Sequence, residues 1–324
     1  MAVEGAPRPP VRRSVWTIVL NWNGAPDTTL CLESLRAVRV PEGVDWTRLV
    51  VDNGSTDGSL ETLPARFPEV RFHDTGANLR WAGGNNAGLA LARAEGADGV
   101  LLLNNDTALE PDALAELLSA VDAHPEGGLF GPTILSWDGA RIWSAGGDFW
   151  PALGWSAHRG LGRRWDPAGT RPLGEAEPAG YLTGAALYAT RACLEAIGGL
   201  DERYYLYGED ADWCLRARAA GFACLYAPRA VLRHRVSGSS GAASPFKAYH
   251  RTRAGLRLAG RHARGLARWT WPVAYPVLLL AQSAAWAARG GGLPAFRAAW
   301  QAWFDHGRGI APGDSGFVPR REQA

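Results

Sequence analysis

Two short stretches concentrate the side chains that could do chemistry. Leu101-Leu102-Leu103-Asn104-Asn105-Asp106 is an apolar run that stops on three polar residues, and Tyr207-Gly208-Glu209-Asp210-Ala211-Asp212-Trp213 is a dense acidic cluster opening a helix. A carboxylate presented at a strand end is a good ligand for a hard cation, and Mg²⁺ or Mn²⁺ there would bridge Asp106 to diphosphate oxygens. Acids crowded as Glu209, Asp210 and Asp212 are raise at least one pKa, which suits a general base near neutrality. Together the clusters suit a chemistry in which a nucleotide diphosphate is held through a divalent cation and a nearby hydroxyl is deprotonated. Each also has a plainer reading. Asp106 could be a turn residue ahead of Pro111, and Asp212 a first-turn acid complementing the helix dipole.

Three further features extend the pattern. Asp52 follows Val50-Val51 directly, where a carboxylate can accept the imide N–H of uracil or thymine while Asn53, Gly54 and Ser55 offer backbone donors. The run Asp52-Asn53-Gly54-Ser55-Thr56-Asp57-Gly58 equally favours an Asx-turn. Arg80-Trp81-Ala82-Gly83-Gly84-Asn85-Asn86-Ala87-Gly88 is glycine-rich and opens a helix, where N–H groups favour phosphate or a sugar hydroxyl, although close helix–strand packing explains glycines as well. His234, beyond Ala227-Pro228-Arg229, offers an imidazole nitrogen as a further metal ligand, or a structural ring.

These groups need a scaffold that brings them together. Ser14–Leu20, Arg48–Val51, Arg71–Phe72 and Val100–Leu103 read as short strands, with helices over Asp27–Val38, Asn85–Glu95 and Pro111–Ala123. Strands alternating with helices predict an α/β fold with a mostly parallel sheet covered on both faces. Ligands bind such sheets at the carboxyl ends of the strands. The polar clusters 21–24, 52–59 and 104–106 all follow strands, so they are expected to converge on one edge. Residues 137–180 read as a long loop or irregular hairpins facing the site. Arg191–Ile197 and Asp210–Ala220 read as helices and Phe222–Tyr226 as a strand.

The chain is 324 residues long, 47% hydrophobic and 20% charged, with a net charge of +2, so a sizeable core is available and composition does not point to nucleic acid. From Arg229 to Arg268 there is no Asp or Glu, a block suited to a phosphate-rich ligand, an anionic membrane surface or a solvated basic face. Phe246–Arg268 reads as a basic helix. Trp269–Ala288 has no charged residue, yet Pro272, Pro276 and Gln282 favour an interfacial helix over a spanning one. Pro294–His306 reads as a last amphipathic helix. Cys31, Cys193, Cys214 and Cys224 form no C-x-x-C pair and read as buried thiols in a reducing cytoplasm. No secretory signal is evident at the N-terminus. The domain expectation is a disordered lead-in over 1–13, an α/β domain over 14–240, a basic and apolar helical region over 241–310, and a flexible tail over 311–324.

In order along the chain, Ile18–Gly24, Val50–Ser59, Asn78–Gly88, Leu101–Thr107, Gly184-Ala185, Gly198–Tyr207 and Glu209–Arg216 resemble the family 2 glycosyltransferases of the GT-A fold, most closely the rhamnosyltransferase-like branch of polysaccharide assembly. The resemblance covers about residues 14–240 and implies an inverting transfer from a nucleotide-diphospho-sugar, dTDP-rhamnose or a UDP-sugar, to a glycan or polyprenyl-linked acceptor. It places Asn21, Asn23, Asp52, Asn53, Asn78, Arg80, Gly83, Gly84, Asn85, Asn104 and Asn105 on the donor side. Asp210 matches the base, with Glu209 beside it. Asp106 and His234 match ligands of a divalent cation, Mn²⁺ or Mg²⁺. Asn104 stands where the D-x-D motif has its first Asp. The location implied is the inner face of the cell membrane, peripherally bound, with self-association left open. The rival classes are a sugar nucleotidyltransferase, whose Gly- and Arg/Lys-rich first loop is absent here, and a non-catalytic nucleotide-sugar-binding protein, which has no need of Glu209-Asp210.

Overall fold

β1 (Arg13–Asn21) and β4 (Gly99–Asn104) show how the sequence builds the sheet. Val15 and Val19 of β1, with Leu101 and Leu103 of β4, enter one apolar cluster, while Trp16, Ile18, Val100 and Leu102 enter another. An apolar run with both alternating faces buried needs helices on both sides. Burying each of Ile18 and Leu102 contributes roughly 1.5–3 kcal/mol. The computed structural model describes residues 12–150, 155–166, 176–235 and 244–317.

The chain continues through α1 (Ala25–Arg36), β2 (Val44–Asp52), α2 (Ser59–Arg66), β3 (Arg71–Asp74) and α3 (Arg80–Ala94) before β4, then β5 (Thr107–Leu109), α4 (Ala113–Ala123) and β6 (Gly127–Ser136). The hairpin segment holds β7 (Ile142–Ala145), β8 (Gly147–Trp150) and β9 (Trp155–His158), and is followed by β10 (Glu177–Pro178), β11 (Ala186–Thr190), α5 (Arg191–Ile197), α6 (Glu209–Ala219) and β12 (Ala223–His234). The central sheet runs β10-β12-β6-β11-β4-β1-β2-β3, with β5 on β12 and β7 on β6. β3, β2, β1 and β4 are mutually parallel, as are β6 and β12. β11 lies between β4 and β6, antiparallel to both. Helices α1, α2 and α4 supply one face through Leu32, Leu35, Leu63, Leu114 and Leu117. Helices α3, α5 and α6 supply the other through Leu89, Ala92, Leu194, Trp213 and Ala217.

Three helices follow: α7 (Pro245–His262), α8 (Ala267–Trp286) and α9 (Gly292–Gly307). Their own core joins Tyr249, Leu256, Tyr275 and Leu279 to Ala295, Ala298, Ala299 and Ala302, small residues that let α9 lie close to α7. No described helix is long and apolar enough to cross a membrane.

Several elements differ from the sequence expectation. β1 begins at Arg13, within the expected lead-in, because Arg13 pairs in register with Val44 and its guanidinium meets Asp122. β2 begins at Val44 rather than Arg48, its first half too polar to show a strand pattern. α3 begins at Arg80 rather than Asn85, its start masked by two glycines of low helix propensity. β12 runs past Pro228 to His234 by shifting register between Ala227 and Val231. The basic helix stops at His262, where Ala263 turns extended. Residues 311–317, expected as tail, are packed: Phe317 stacks on Tyr249 with ring centroids 4.5 Å apart.

Candidate active site

The first two strand ends are stitched together. Strand register sets Asn21 beside Asp52 and Leu20 beside Asn104. Asn21 Nδ2 donates to Asp52 Oδ2 at 2.7 Å, and the Ser55 backbone N–H donates to Asp52 Oδ1 at 2.7 Å. Asp52 is 1% exposed, so its carboxylate clasps the two loops, and each oxygen keeps one lone pair for a further donor. Asn23 binds the same loop, its N–H donating to Ser55 Oγ and its Oδ1 accepting from the Thr56 N–H. Asn53 braces the segment ahead of α3 through Asn78 Oδ1, the Arg80 carbonyl and the Leu79 N–H.

The glycine-rich start of α3 is a packed surface. A Cβ on Gly84 would run into Leu20 and Asn53, and one on Gly83 into Leu79. Asn85 points inward and donates to the Trp81 carbonyl at 2.9 Å. These three residues let α3 approach β1, the close packing that the glycine-rich run allows. What α3 presents to the cleft is Trp81, whose Nε1 donates to Asn104 Oδ1 at 2.9 Å. Asn105 turns the other way, to Thr28 Oγ1 at 2.9 Å and Asn21 Oδ1 at 3.4 Å.

Asp106 and His234 meet because β5 pairs with the end of β12, with Thr107 opposite His234. Asp106 Oδ1 and His234 Nε2 lie 3.0 Å apart, both side chains largely buried. His234 Nδ1 has no hydrogen-bond partner among the described residues. No group of three His, Cys, Asp or Glu able to hold a metal occurs among the described residues. A carboxylate plus an imidazole is nevertheless the partial donor set that a diphosphate-bound cation takes, the remaining positions going to phosphate and water.

Asp210, in the first turn of α6, is held by three donors. Tyr181 Oη donates to Oδ2 at 2.9 Å, the Gly184 N–H to Oδ2 at 2.9 Å, and the Ala211 N–H to Oδ1 at 2.8 Å. Burial raises its pKa against the lowering effect of those donors. Glu209 is 7% exposed, and its Oε2 has no hydrogen-bond partner among the described residues. Burial first, then the neighbouring Asp210 charge, pushes it up to about 8. The two carboxyls differ in surroundings: Asp210 is met by three donors, whereas Glu209 is buried against the Asp210 charge. Asp212 belongs elsewhere, in a structural network with Arg216 and His262 that outweighs its burial and lowers its pKa.

Contacts link all three carboxylates around one rim. From Asp106 the path runs through His234 to the Trp143 ring (4.6 Å), to His158 (4.6 Å), to Tyr181 (5.6 Å) and so to Asp210. From Asp52 it runs through Asn21 and Asn105 to the 104–106 turn, then through Asn104 and Trp81 to Gly184. A Cβ on Gly184 would fall 2.5 Å from Trp81 Cη2, so only glycine lets the ring and the Asp210 clamp coexist. The positive-φ non-glycine residues among those described are Asn23, Arg80 and Tyr207, each next to a segment that carries a candidate side chain. Strained backbone gathers where side chains must be aimed. Tyr181, Trp81, Trp143 and His158 were not singled out individually in the sequence, because their roles depend on partners far away along the chain.

The fold is that of the GT-A glycosyltransferases. Staphylococcus aureus TarS (residues 1–349) superposes with a TM-score of 0.56 at 16% identity, covering 93% of this chain and 82% of that one. The mannosyltransferase PcManGT of Pyrobaculum calidifontis, solved with GDP-Man and Mn²⁺, gives 0.54 at 19% identity, covering 94% and 82%. Family models for "Glycosyl transferase family 2" and "Glycosyl transferase family group 2" match residues 16–165 and 99–306. An N-acetylglucosaminyl-diphospho-decaprenol L-rhamnosyltransferase of Mycobacterium tuberculosis is 34% identical over 250 residues, 68% of this chain and 78% of that protein. The chain belongs to glycosyltransferase family 2, within its rhamnosyltransferase-like part.

Proposed function

We propose that this glycosyltransferase moves a sugar, rhamnose or a hexose, from a nucleotide diphosphate to a hydroxyl of a lipid-diphosphate-linked glycan, with inversion and with Asp210 as the base. The acceptor hydroxyl gives its proton to Asp210 as its oxygen bonds to the anomeric carbon. The bond from that carbon to the diphosphate breaks, and the nucleotide diphosphate leaves with the electron pair. The observation that carries this reading is the Asp210 carboxylate, held by Tyr181, Gly184 and Ala211 and joined through Tyr181, His158, Trp143 and His234 to Asp106. Fixed donors keep it ionised while burial keeps it basic. Asp106 and His234 would hold a divalent cation, which supplies charge neutralisation to the leaving diphosphate. Asp52 and the loops it clasps would carry the nucleoside. The acceptor class follows the M. tuberculosis relative's name.

Membrane contact is supported by α8. Leu266, Trp269, Val273, Val277 and Leu280 recur at helical spacing and are exposed, Trp269 and Val273 at 77% and Val277 at 71%. Exposed Arg264, Arg268 and Arg289 flank the stripe. An apolar stripe bordered by arginines suits the headgroup region of an anionic leaflet.

The test is Asp210→Asn, which keeps the shape and removes the base. Transfer should fall by roughly 10²–10⁴-fold, the usual worth of general-base catalysis, while nucleotide-sugar affinity is kept. Loss of affinity together with activity would mark Asp210 as a donor-site or folding residue.

A further inference from the structure

We infer that Lys247 and Arg251 of α7 form a second anion site, which takes the diphosphate of the acceptor; the inference rests on the acceptor class proposed above. The two residues are four apart, on one face of the helix. The Arg251 guanidinium lies over the Tyr207 ring (5.2 Å) and the Trp286 ring (5.6 Å). Neither cation meets a carboxylate among the described residues. Of the other cations of α7, Arg261 pairs with Asp201 and Asp212, Arg253 donates to the Ile310 carbonyl, and Arg257 lies over the Tyr204 ring.

No acid occurs in the sequence from Arg229 to Arg268. Burial and the nearby Arg251 charge both lower the Lys247 pKa, so the pair sits close enough to repel. His158, which faces the same space, is held down to about 4 by burial, Arg251 and His234, and so adds no charge at neutral pH. Two cations one helical turn apart, Arg251 braced by two aromatic rings, are what a diphosphate neutralises, through charge-assisted hydrogen bonds.

Position decides which diphosphate. The donor's belongs beside Asp106 and His234; Trp143 packs on His234 and His158 packs on Trp143, and Arg251 lies near enough to His158 to act on its charge. Tyr207, under Arg251, is two residues from Glu209 at the base. Trp286, its other ring, ends α8, the helix with the exposed apolar stripe. From the base outward the order is carboxylate, cation pair, apolar stripe. A lipid-linked sugar diphosphate presents its hydroxyl, diphosphate and hydrocarbon in the same order.

The experiment uses the full chain and two probes: N-acetylglucosamine on a short alkyl diphosphate, and the same sugar as an uncharged alkyl glycoside. Binding is measured by titration calorimetry without donor, and transfer with it. The wild type should prefer the diphosphate probe. Arg251→Ala and Lys247→Ala should each weaken its binding roughly ten- to a hundred-fold and collapse the preference in transfer, with Arg251→Lys losing less. Affinity for a nucleoside diphosphate should not follow. Equal wild-type affinity for both probes, an unchanged diphosphate affinity in the variants, or a matching loss of nucleotide affinity would overturn the site. So would displacement of the probe by phosphatidylglycerol micelles, which would mark a general anionic surface. Binding through Arg251 with no transfer to either probe would leave the site standing and sink the acceptor reading. Transfer to both probes without dependence on Arg251 would do the reverse.

Discussion

Glu209→Gln isolates the buried acid beside the proposed base. Glu209 moves from an ordinary value of 4.5 up to about 8, through burial and the Asp210 charge. The folded protein therefore keeps this proton across the neutral range, whereas the unfolded chain releases it near 4.5. Stability from this group is complete below pH 4.5 and is lost as the pH climbs to about 8, because the unfolded state binds fewer protons over that interval. At about 1.4 kcal/mol for each pH unit, the loss is about 5 kcal/mol, a large share of a typical folding free energy. Glutamine matches the protonated acid in shape but does not titrate. Its amide adds a constant cost, so the slope with pH carries the information and the intercept does not. Urea unfolding of both proteins from about pH 5 to about pH 9 should show the wild type losing several kcal/mol relative to the variant. The variant should also keep most of its transfer activity near neutrality, since the group it replaces is already uncharged. Parallel stability curves, or a variant as inactive as Asp210→Asn, would refute the assignment of the proton to Glu209.

Asp106→Ala should weaken nucleotide-sugar binding in Mn²⁺ by roughly ten-fold or more and make it insensitive to EDTA; unchanged affinity would count against a metal role. Tyr181→Phe removes a donor that lowers the Asp210 pKa. The acid limb of the kcat profile should then move to higher pH, and a profile that stays in place would show that the hydroxyl does not tune the base. Val273→Glu with Val277→Glu puts two charges on the exposed stripe of α8. Co-sedimentation with phosphatidylglycerol vesicles should drop sharply with the transfer kinetics on a soluble acceptor retained, whereas equal sedimentation would remove α8 from the membrane.

The sequence was most readable where strands end. β1, β2 and β4 announced themselves by apolar runs stopping on Asn21, Asp52 and Asn104, and register then put those ends side by side. Parallel strands guarantee that convergence, so it could be argued without coordinates. β6 was hidden by its three glycines and Pro132, which read as breakers although the strand lies deep in the sheet. The orientation of β11 has no local signature, since antiparallel and parallel buried strands share a composition. The clamp on Asp210 was equally invisible. It joins Tyr181 and Gly184 to a helix beginning at Glu209, and only the packed chain brings them together. In the glycine-rich run at 80–88 the residue types left phosphate binding and close packing both open, and the neighbours, Leu20 among them, chose packing.

The reversed direction of β11 means that this strand sets out from the rim where its neighbours finish. Its lead-in, the hairpin stretch from β7 onward, can therefore be lengthened, shortened or exchanged without shifting the register of β1 to β4. Change in that stretch leaves the parallel half of the sheet, with Asn21, Asp52 and Asn104 at its strand ends, where it is.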